Sequence, residues 1–527
     1  MLKMWFFIRR HRFWICVILL ILEISLLTFA NWEWGERQLD SDDSAEMILA
    51  ELLHRTGGVV SRNWYYSTEI RVLNTQLVMK PLFSFFTDWR AVRAAGTAIL
   101  LAILAGSFLF LCRSTRIGKS LICASPLILW PFSYAYYDFV LYGLYYIPHL
   151  CIIFLTLGLV LNQKEKGRGF RLLVLMILAL FTGLGGIRML AICYIPLLII
   201  TVFSETHFFR TGHGRERRFI IRSFFASASC GIGYLINQLI LTGKYSYFHG
   251  GVHLVRPGAG RITAFLKTVL SVMGIGIPKD LSMRSAGFVA AMIVFPLLVF
   301  MVVRLVARIP TMEQEIQILL GYFIASFLVS AAIAIFTDIP WTSRYLIMPC
   351  IGFVVVLTIY FREYPLSQPM SRKLFILFAV MELLLGSSTF FVFNGNNKHR
   401  DADPAYQYIL ASGLEFGFGD WDSSDVLTEM SDGRIHMCKL YNYKVPEAWY
   451  WLMEKDFRRY GEGKPVFLLL DNGRLSFHGN IGHVSGEWER EDLNYLEAGE
   501  IVFHDDRYTI WQYPSLEEFE ATARVHF

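Results

Sequence analysis

Recurring apolar runs constrain this chain more than any other feature. They lie near 12–30, 95–112, 121–138, 144–161, 172–186, 189–204, 223–242, 287–303, 317–336, 345–361 and 374–393. Most approach the roughly 20 residues that a helix needs to cross ~30 Å of hydrocarbon. In lipid every backbone N–H and C=O must be satisfied within the protein, which leaves helices as the structure for runs of this length. The chain therefore reads as a polytopic α-helical membrane protein with about eleven transmembrane helices. Its 18% of charged residues falls below the ~25% typical of soluble domains.

Lys and Arg fix the expected orientation. The segments "FFIRRHRF", "RSTRIGK", "QKEKGRGFR", "RTGHGRERRFIIR", "RLVARIP" and "REYPLSQPMSRK" alternate with the other connectors, so all six fall on one side, the cytoplasmic one. Segments 31–94, 138–144, 186–189, 243–286, 337–344 and 394–527 then face out. The start is basic and then apolar with no small-residue cleavage site after it, and reads as a retained first helix with a cytoplasmic N-terminus. Eight cysteines show no paired spacing, which argues against a disulfide framework or a zinc site. The absence of an N-x-S/T sequon points to a bacterial plasma membrane, and no clustered basic face suggests nucleic acid.

Two units are expected, a membrane module over 1–393 and an extracytoplasmic α/β domain over 394–527. In the second, "PVFLLLD" predicts a buried strand. "EIVFHDDRYTIWQYP" predicts a hairpin turning at Asp505 and Asp506, and "EAWYWLMEKDFRRYG" has helical spacing.

Candidate chemistry gathers on the outer side. "LDSDDSAEMILAELLHRTGG" crowds Asp40, Asp42, Asp43, Glu46 and Glu51 just after the first apolar run. A helix capped by Ser41 or Ser44 would place the acids at its positive end, with Met47, Ile48, Leu52 and Leu53 pressed on the membrane surface. The plainer alternative is that the acids only complement the helix dipole. "SRNWYYSTEIRVLNTQLVMKPLF" mixes Trp64, Tyr65, Tyr66, Glu69, Arg71, Asn74 and Gln76, a combination suited to sugars and phosphates; an interfacial aromatic belt would need only the rings. At the mouths of spans stand Asp138, Tyr145, Tyr146 and His149, then Arg188, then Asp338, Trp341, Arg344 and Tyr345. Arg188 and Arg344 suit a phosphate on a side that should be poor in positive charge; ion pairs with Asp138 or Asp338 are the alternative. "GGVHLVRPGAGR", with His253, Arg256 and Arg261, is either an anion-binding loop or a connector. Asp40 and Asp42 form a D-x-D that can hold a divalent metal, although nothing in the sequence requires a cofactor.

This layout resembles the C superfamily (GT-C) of membrane glycosyltransferases, and within it the protein O-mannosyltransferases and the aminoarabinose transferases of lipid A. "DSDDSAEMILAELL", "NWYYSTEIRVLNTQL", "SRYLIMP" and "FGFGDWDSSDVLTEMSDGRI" look like a group of such proteins in Gram-positive bacteria. The resemblance implies a polyprenyl-phosphate sugar donor at the outer leaflet, an acid in the first loop that activates the acceptor hydroxyl, and inversion at the anomeric carbon. It places that acid at Asp42 or Asp43, with Asp40 and Glu46 next. It gives Arg188 and Arg344 to the donor phosphate, joined by His149, Tyr345 and Arg71. Trp64, Tyr65, Tyr66, Glu69, Asn74, Tyr146 and Trp341 would line the substrate.

The expected function is thus an inverting glycosyltransferase acting on a cell-envelope glycan, lipid or protein, with the C-terminal domain helping to choose the acceptor. The competing readings are a transporter or flippase for lipid-linked sugars, which would show repeated spans and midplane charges, and a polymerase or ligase of lipid-linked glycans, with its basic residues in the 243–286 loop.

Overall fold

A computed structural model describes residues 2–205, 217–247, 252–276, 282–443, 446–472, 495–496 and 498–525. Among these, eight helices are long and apolar enough to cross a membrane. A bent pair, Tyr134–Tyr142 and Ile147–Leu161, makes a ninth if counted as one span, and Gly118–Ile128 and Leu190–Phe203 are shorter. Every expected apolar run carries helix, but not every run is a simple span. The 121–138 run breaks after Ile128. Pro131 supplies no N–H and pushes Trp130 away from helical angles, and the chain restarts where the Ser133 side chain caps Tyr136. The following pair bends by 87° around Gly143 and Leu144, the latter with φ +67°.

Helix α1 (Leu2–Trp34) leads through a short 3-10 turn into α2 (Ser41–Thr56). The cap of α2 is Asp40, not Ser41 or Ser44. Asp40 has extended backbone angles, and its carboxylate accepts the Asp43 N–H at 3.0 Å. A carboxylate receives charge-assisted bonds at a helix's positive end, so it takes the role from the hydroxyls. Gly57 ends the helix at φ +82°. The apolar face of α2 does not lie open on a membrane surface. Leu49, Leu52 and Leu53 pack with Trp64, Tyr66 and Leu452, and helix Trp421–Met430 lies against the first turns. Two further helices complete this region, α3 (Gln76–Leu82) and α4 (Trp89–Ser114).

The C-terminal part holds a six-stranded mixed sheet of order β4-β3-β2-β6-β8-β7, from β2 (Phe416–Gly419), β3 (His436–Asn442), β4 (Glu447–Ala448), β6 (Val466–Asp471), β7 (Glu500–His504) and β8 (Tyr508–Tyr513). Strand β2 runs parallel to β3 and β6, while β6, β8 and β7 run antiparallel. The "PVFLLLD" strand is therefore β6, and the hairpin is β7–β8 with Asp505 and Asp506 between its strands. The helix expected over 447–461 does not form. That stretch gives β4, a turn through Leu452 at φ +51°, strand β5 (Met453–Glu454) and a 3-10 turn. The reason is tertiary pairing: β5 is antiparallel to β1 (Trp64–Tyr65) of the first outer loop, which outweighs a helical spacing.

Buried polar contacts fasten this domain to the membrane helices. Arg93 of α4 meets Glu429 through two bonds of 2.6 and 2.7 Å, both side chains almost fully buried, and also donates to the Asp43 carbonyl at 3.1 Å. Asp432 accepts the Trp89 N–H at 2.7 Å, and the Ser41 hydroxyl donates to the Trp421 carbonyl. Removing one partner of a buried ion pair typically costs about 3–5 kcal/mol. Glu429→Ala should therefore lower the unfolding temperature of the detergent-solubilised protein clearly, and adding Arg93→Ala should cost less than a second such loss. A melting curve of Glu429→Ala that overlays wild type contradicts this docking.

Candidate active site

The start of α2 presents its acids to three different surroundings. Asp40 uses one oxygen as the cap and turns the other to Lys398, 3.5 Å away; its side chain is 36% exposed. Asp42 forms an ion pair with Arg344 at 2.9 Å. Asp43 is 1% exposed, and neither carboxylate oxygen has a hydrogen-bond partner among the described residues. Burial, then the neighbouring Asp40 charge, pushes the Asp43 carboxyl well above its ordinary range. Gly143 lets the bend of the following helix pair close over it, since a Cβ there would lie 2.4 Å from an Asp43 carboxylate oxygen. One turn on, Glu46 is buried against Arg71 and accepts the Thr75 hydroxyl at 2.5 Å. Glu46, expected among the catalytic acids, is thus buried and ties α2 to the segment that follows it.

The cations assemble on the other side. Arg188 reaches Glu69 at 3.1 Å and the Tyr146 hydroxyl at 3.4 Å. Glu69 also approaches His149 at 3.9 Å, and His149 stacks on Tyr146 at 5.3 Å. Burial works against ionisation of Glu69, yet the Arg188 guanidinium and His149 hold its carboxyl below the usual range. Tyr345 carries the two arginines over its ring, Arg188 at 5.4 Å and Arg344 at 5.7 Å, with Trp341 beside it at 5.2 Å. The alternative pairings of Arg188 and Arg344 with Asp138 or Asp338 do not occur. Asp138 meets Lys398, and Asp338 accepts the His253 N–H at 2.9 Å. That contact and an Arg261 bond to the Thr337 carbonyl pin the 252–261 stretch to the end of helix Gln314–Phe336; Gly250 and Gly251 lie outside the described residues.

A cleft opens beside this cluster. Glu69, Arg71, Asn74 and His149 form its polar part, and Ile152, Phe181 and Met189 its apolar walls. A lining that mixes these polar groups with apolar side chains suits a ligand that is itself part polar and part apolar. Trp64, Tyr65 and Tyr66 do not line it. Trp64 is fully buried and pairs with β5, Tyr65 packs on Tyr450 at 4.9 Å, and the Tyr66 hydroxyl accepts the Ser61 N–H. They dock the loop to the C-terminal domain. Asp40 and Asp42 turn to different cations, Lys398 and Arg344. Sequence reasoning missed Lys398, although it is the sole Lys in "NGNNKHR" just beyond the last apolar run. It also missed Arg93, whose signal is a charge inside the outer turns of a span.

No family model matches the sequence, and no curated protein sequence matches it significantly. Solved structures do. ArnT from Cupriavidus metallidurans bound to undecaprenyl phosphate is 13% identical, with 94% of this chain and 97% of that chain covered at a TM-score of 0.54. The same protein in its apo state is 11% identical at a TM-score of 0.53, with the same coverage. This chain has a GT-C-like fold, shared with these ArnT structures. The fold is polytopic and mostly helical, with a sheet-containing C-terminal domain.

The buried, unpartnered Asp43, with its carboxyl pushed upward, has a testable consequence. Its folded-state pKa lies above its unfolded value, so the folded chain keeps a proton that the unfolded chain releases. The associated stability is full below the unfolded pKa and declines as pH rises through the folded pKa. Asp43→Asn supplies a neutral side chain of the same shape. Its unfolding temperature at neutral pH should equal or exceed that of wild type, with a flatter dependence above the ordinary aspartate range. A loss of stability confined to neutral pH contradicts a neutral Asp43.

Proposed function

We propose that this chain is an inverting glycosyltransferase that moves a sugar from a polyprenyl-phosphate donor to a cell-envelope acceptor. The reaction would run at the outer face of a bacterial plasma membrane, the side opposite the six basic connectors. The observation that carries the reading is the Asp42–Arg344 pair at the start of α2 and the Glu69–Arg188 pair meeting around Tyr345, beside a cleft lined by both polar and apolar side chains. The likeness of fold to ArnT, solved with undecaprenyl phosphate, supports a lipid phosphate as the ligand class.

In this scheme the acceptor hydroxyl attacks the anomeric carbon while a carboxylate takes its proton. The bond from that carbon to the phosphate oxygen breaks, and the lipid phosphate leaves with the electron pair. Asp40 is the best-placed base. Asp43 is sealed, Asp42 is bound to Arg344, and Asp40 has the most exposed side chain of the three, oriented by the cap and in looser contact with Lys398 at 3.5 Å. Asp42 then acts on Arg344, holding the guanidinium toward the site. Arg188 and Arg344 each retain N–H groups for the phosphate and stabilise the charge that develops there. Glu69, His149 and Tyr146 orient Arg188, and Asn74 and Arg71 line the cleft.

With a polyprenyl-phosphate sugar and purified protein, Asp40→Asn should lower transfer by roughly 10²–10⁴-fold, the usual size of a general-base contribution. Arg344→Ala should lower it by about 10²–10³-fold, in the range of lost transition-state charge stabilisation. Asp43→Asn should stay within a few-fold of wild type. Wild-type transfer by both Asp40→Asn and Asp42→Asn would sink the proposed role of the α2 acids.

A further inference from the structure

Lys398 lies in the short link between the last membrane helix, Pro369–Gly395, and the C-terminal domain. Its ammonium stands 3.1 Å from Asp138 and 3.5 Å from Asp40. Three segments remote in sequence thus deliver two acids and one cation to one place: the cap of α2, the first limb of the bent helix pair and the link. The link is held tightly there. The Lys398 N–H donates to the Arg37 carbonyl at 2.8 Å, and the His399 ring bonds to the Leu39 carbonyl at 2.8 Å. The Gln38 amide donates to the Phe393 carbonyl at 2.8 Å, and Phe393 places its ring 5.9 Å from the ammonium.

Two carboxylates that share a half-buried site repel, and one of them takes a proton unless a positive charge lies between them. A divalent cation is the common solution, because hard oxygen ligands suit it. A lysine ammonium is also a compact point charge with three donors, able to serve both acids at once. We infer that Lys398 is the built-in cation of the Asp40–Asp138 pair and takes the place of a divalent metal, so that transfer by this chain needs none. Lys398 is a positioning residue. It fixes the Asp40 oxygen that the cap leaves over and ties the C-terminal domain's entry to the site. This inference rests on the transfer reading above for its activity arm, and its binding arm is independent of that reading.

The test compares wild type with Lys398→Ala, Lys398→Met and Lys398→Arg, using the purified full chain. Transfer is measured in EDTA and with added Mn²⁺, and Mn²⁺ binding is followed separately by electron paramagnetic resonance. Wild type should keep its rate in EDTA and bind no Mn²⁺ at this pair. Lys398→Ala and Lys398→Met should lose transfer by at least about tenfold, as expected for a lost charge-assisted contact. Both should bind Mn²⁺ and recover activity with it, and adding Asp138→Asn should abolish that binding. Lys398→Arg should retain more activity than either. The inference is overturned if EDTA stops wild type, if Lys398→Ala and Lys398→Met transfer at the wild-type rate, or if neither variant acquires a Mn²⁺ site. Lys398→Met keeps most of the stem and its packing, so a fold lost only in Lys398→Ala leaves the test intact. A wild type that transfers nothing counts against the transfer reading, while Mn²⁺ binding still judges the role of Lys398.

Discussion

Charge matching at the first turns of α2 is the constraint on which the rest depends. Asp40, Asp42, Asp43 and Glu46 lie within two turns of one another in a largely buried place, where unpaired carboxylates are expensive. Each finds its own answer. Asp40 meets Lys398, Asp42 meets Arg344, Glu46 meets Arg71, and Asp43 is buried without a partner among the described residues, its carboxyl pushed well above the ordinary range. The partners come from the link after the last membrane helix, from the start of helix Ser343–Glu363 and from the segment between α2 and α3. Satisfying one helix start therefore ties together segments separated by hundreds of residues.

This matching also explains why the C-terminal domain sits where it does. Helix Trp421–Met430 covers α2, and its Glu429 fixes Arg93, which in turn holds the Asp43 carbonyl. Strand β5 takes the edge of the first outer loop. The domain is part of the scaffold of the acid site, whatever further part it takes in choosing an acceptor. Buried ion pairs contribute little net stability against apolar packing. Their value here is in fixing which groups face one another.

The spans were legible because hydrocarbon imposes a length and a composition that few alternatives satisfy. The start of α2, strand β6 and the β7–β8 hairpin were legible from local pattern. What escaped was decided by contacts distant in sequence. The stretch 447–461 has helical spacing, but pairing with β1 turns part of it into strand. Trp64, Tyr65 and Tyr66 look like a sugar platform until the domain that buries them is in place. Pro131 broke one apparent span, while the bend at Gly143 falls between two expected runs and closes over Asp43. At the site, Arg188, Arg344, Tyr345, His149 and Tyr146 were found as polar residues at the mouths of spans, where lipid makes such groups costly. Which acid each cation would meet depended on the three-dimensional fold, so Lys398 was missed and the Glu46–Arg71 pair was not foreseen.

In the proposed displacement the two sides of the site take different tasks, a carboxylate on the acceptor side and guanidinium groups on the leaving phosphate. Such a reaction leaves a record in its product. The direct measurement is the anomeric configuration of the transferred sugar, determined by nuclear magnetic resonance from a polyprenyl-phosphate donor of known configuration. A product of opposite configuration to the donor is the predicted result. A product of retained configuration would contradict the single displacement around which the roles of Asp40, Arg188 and Arg344 are built.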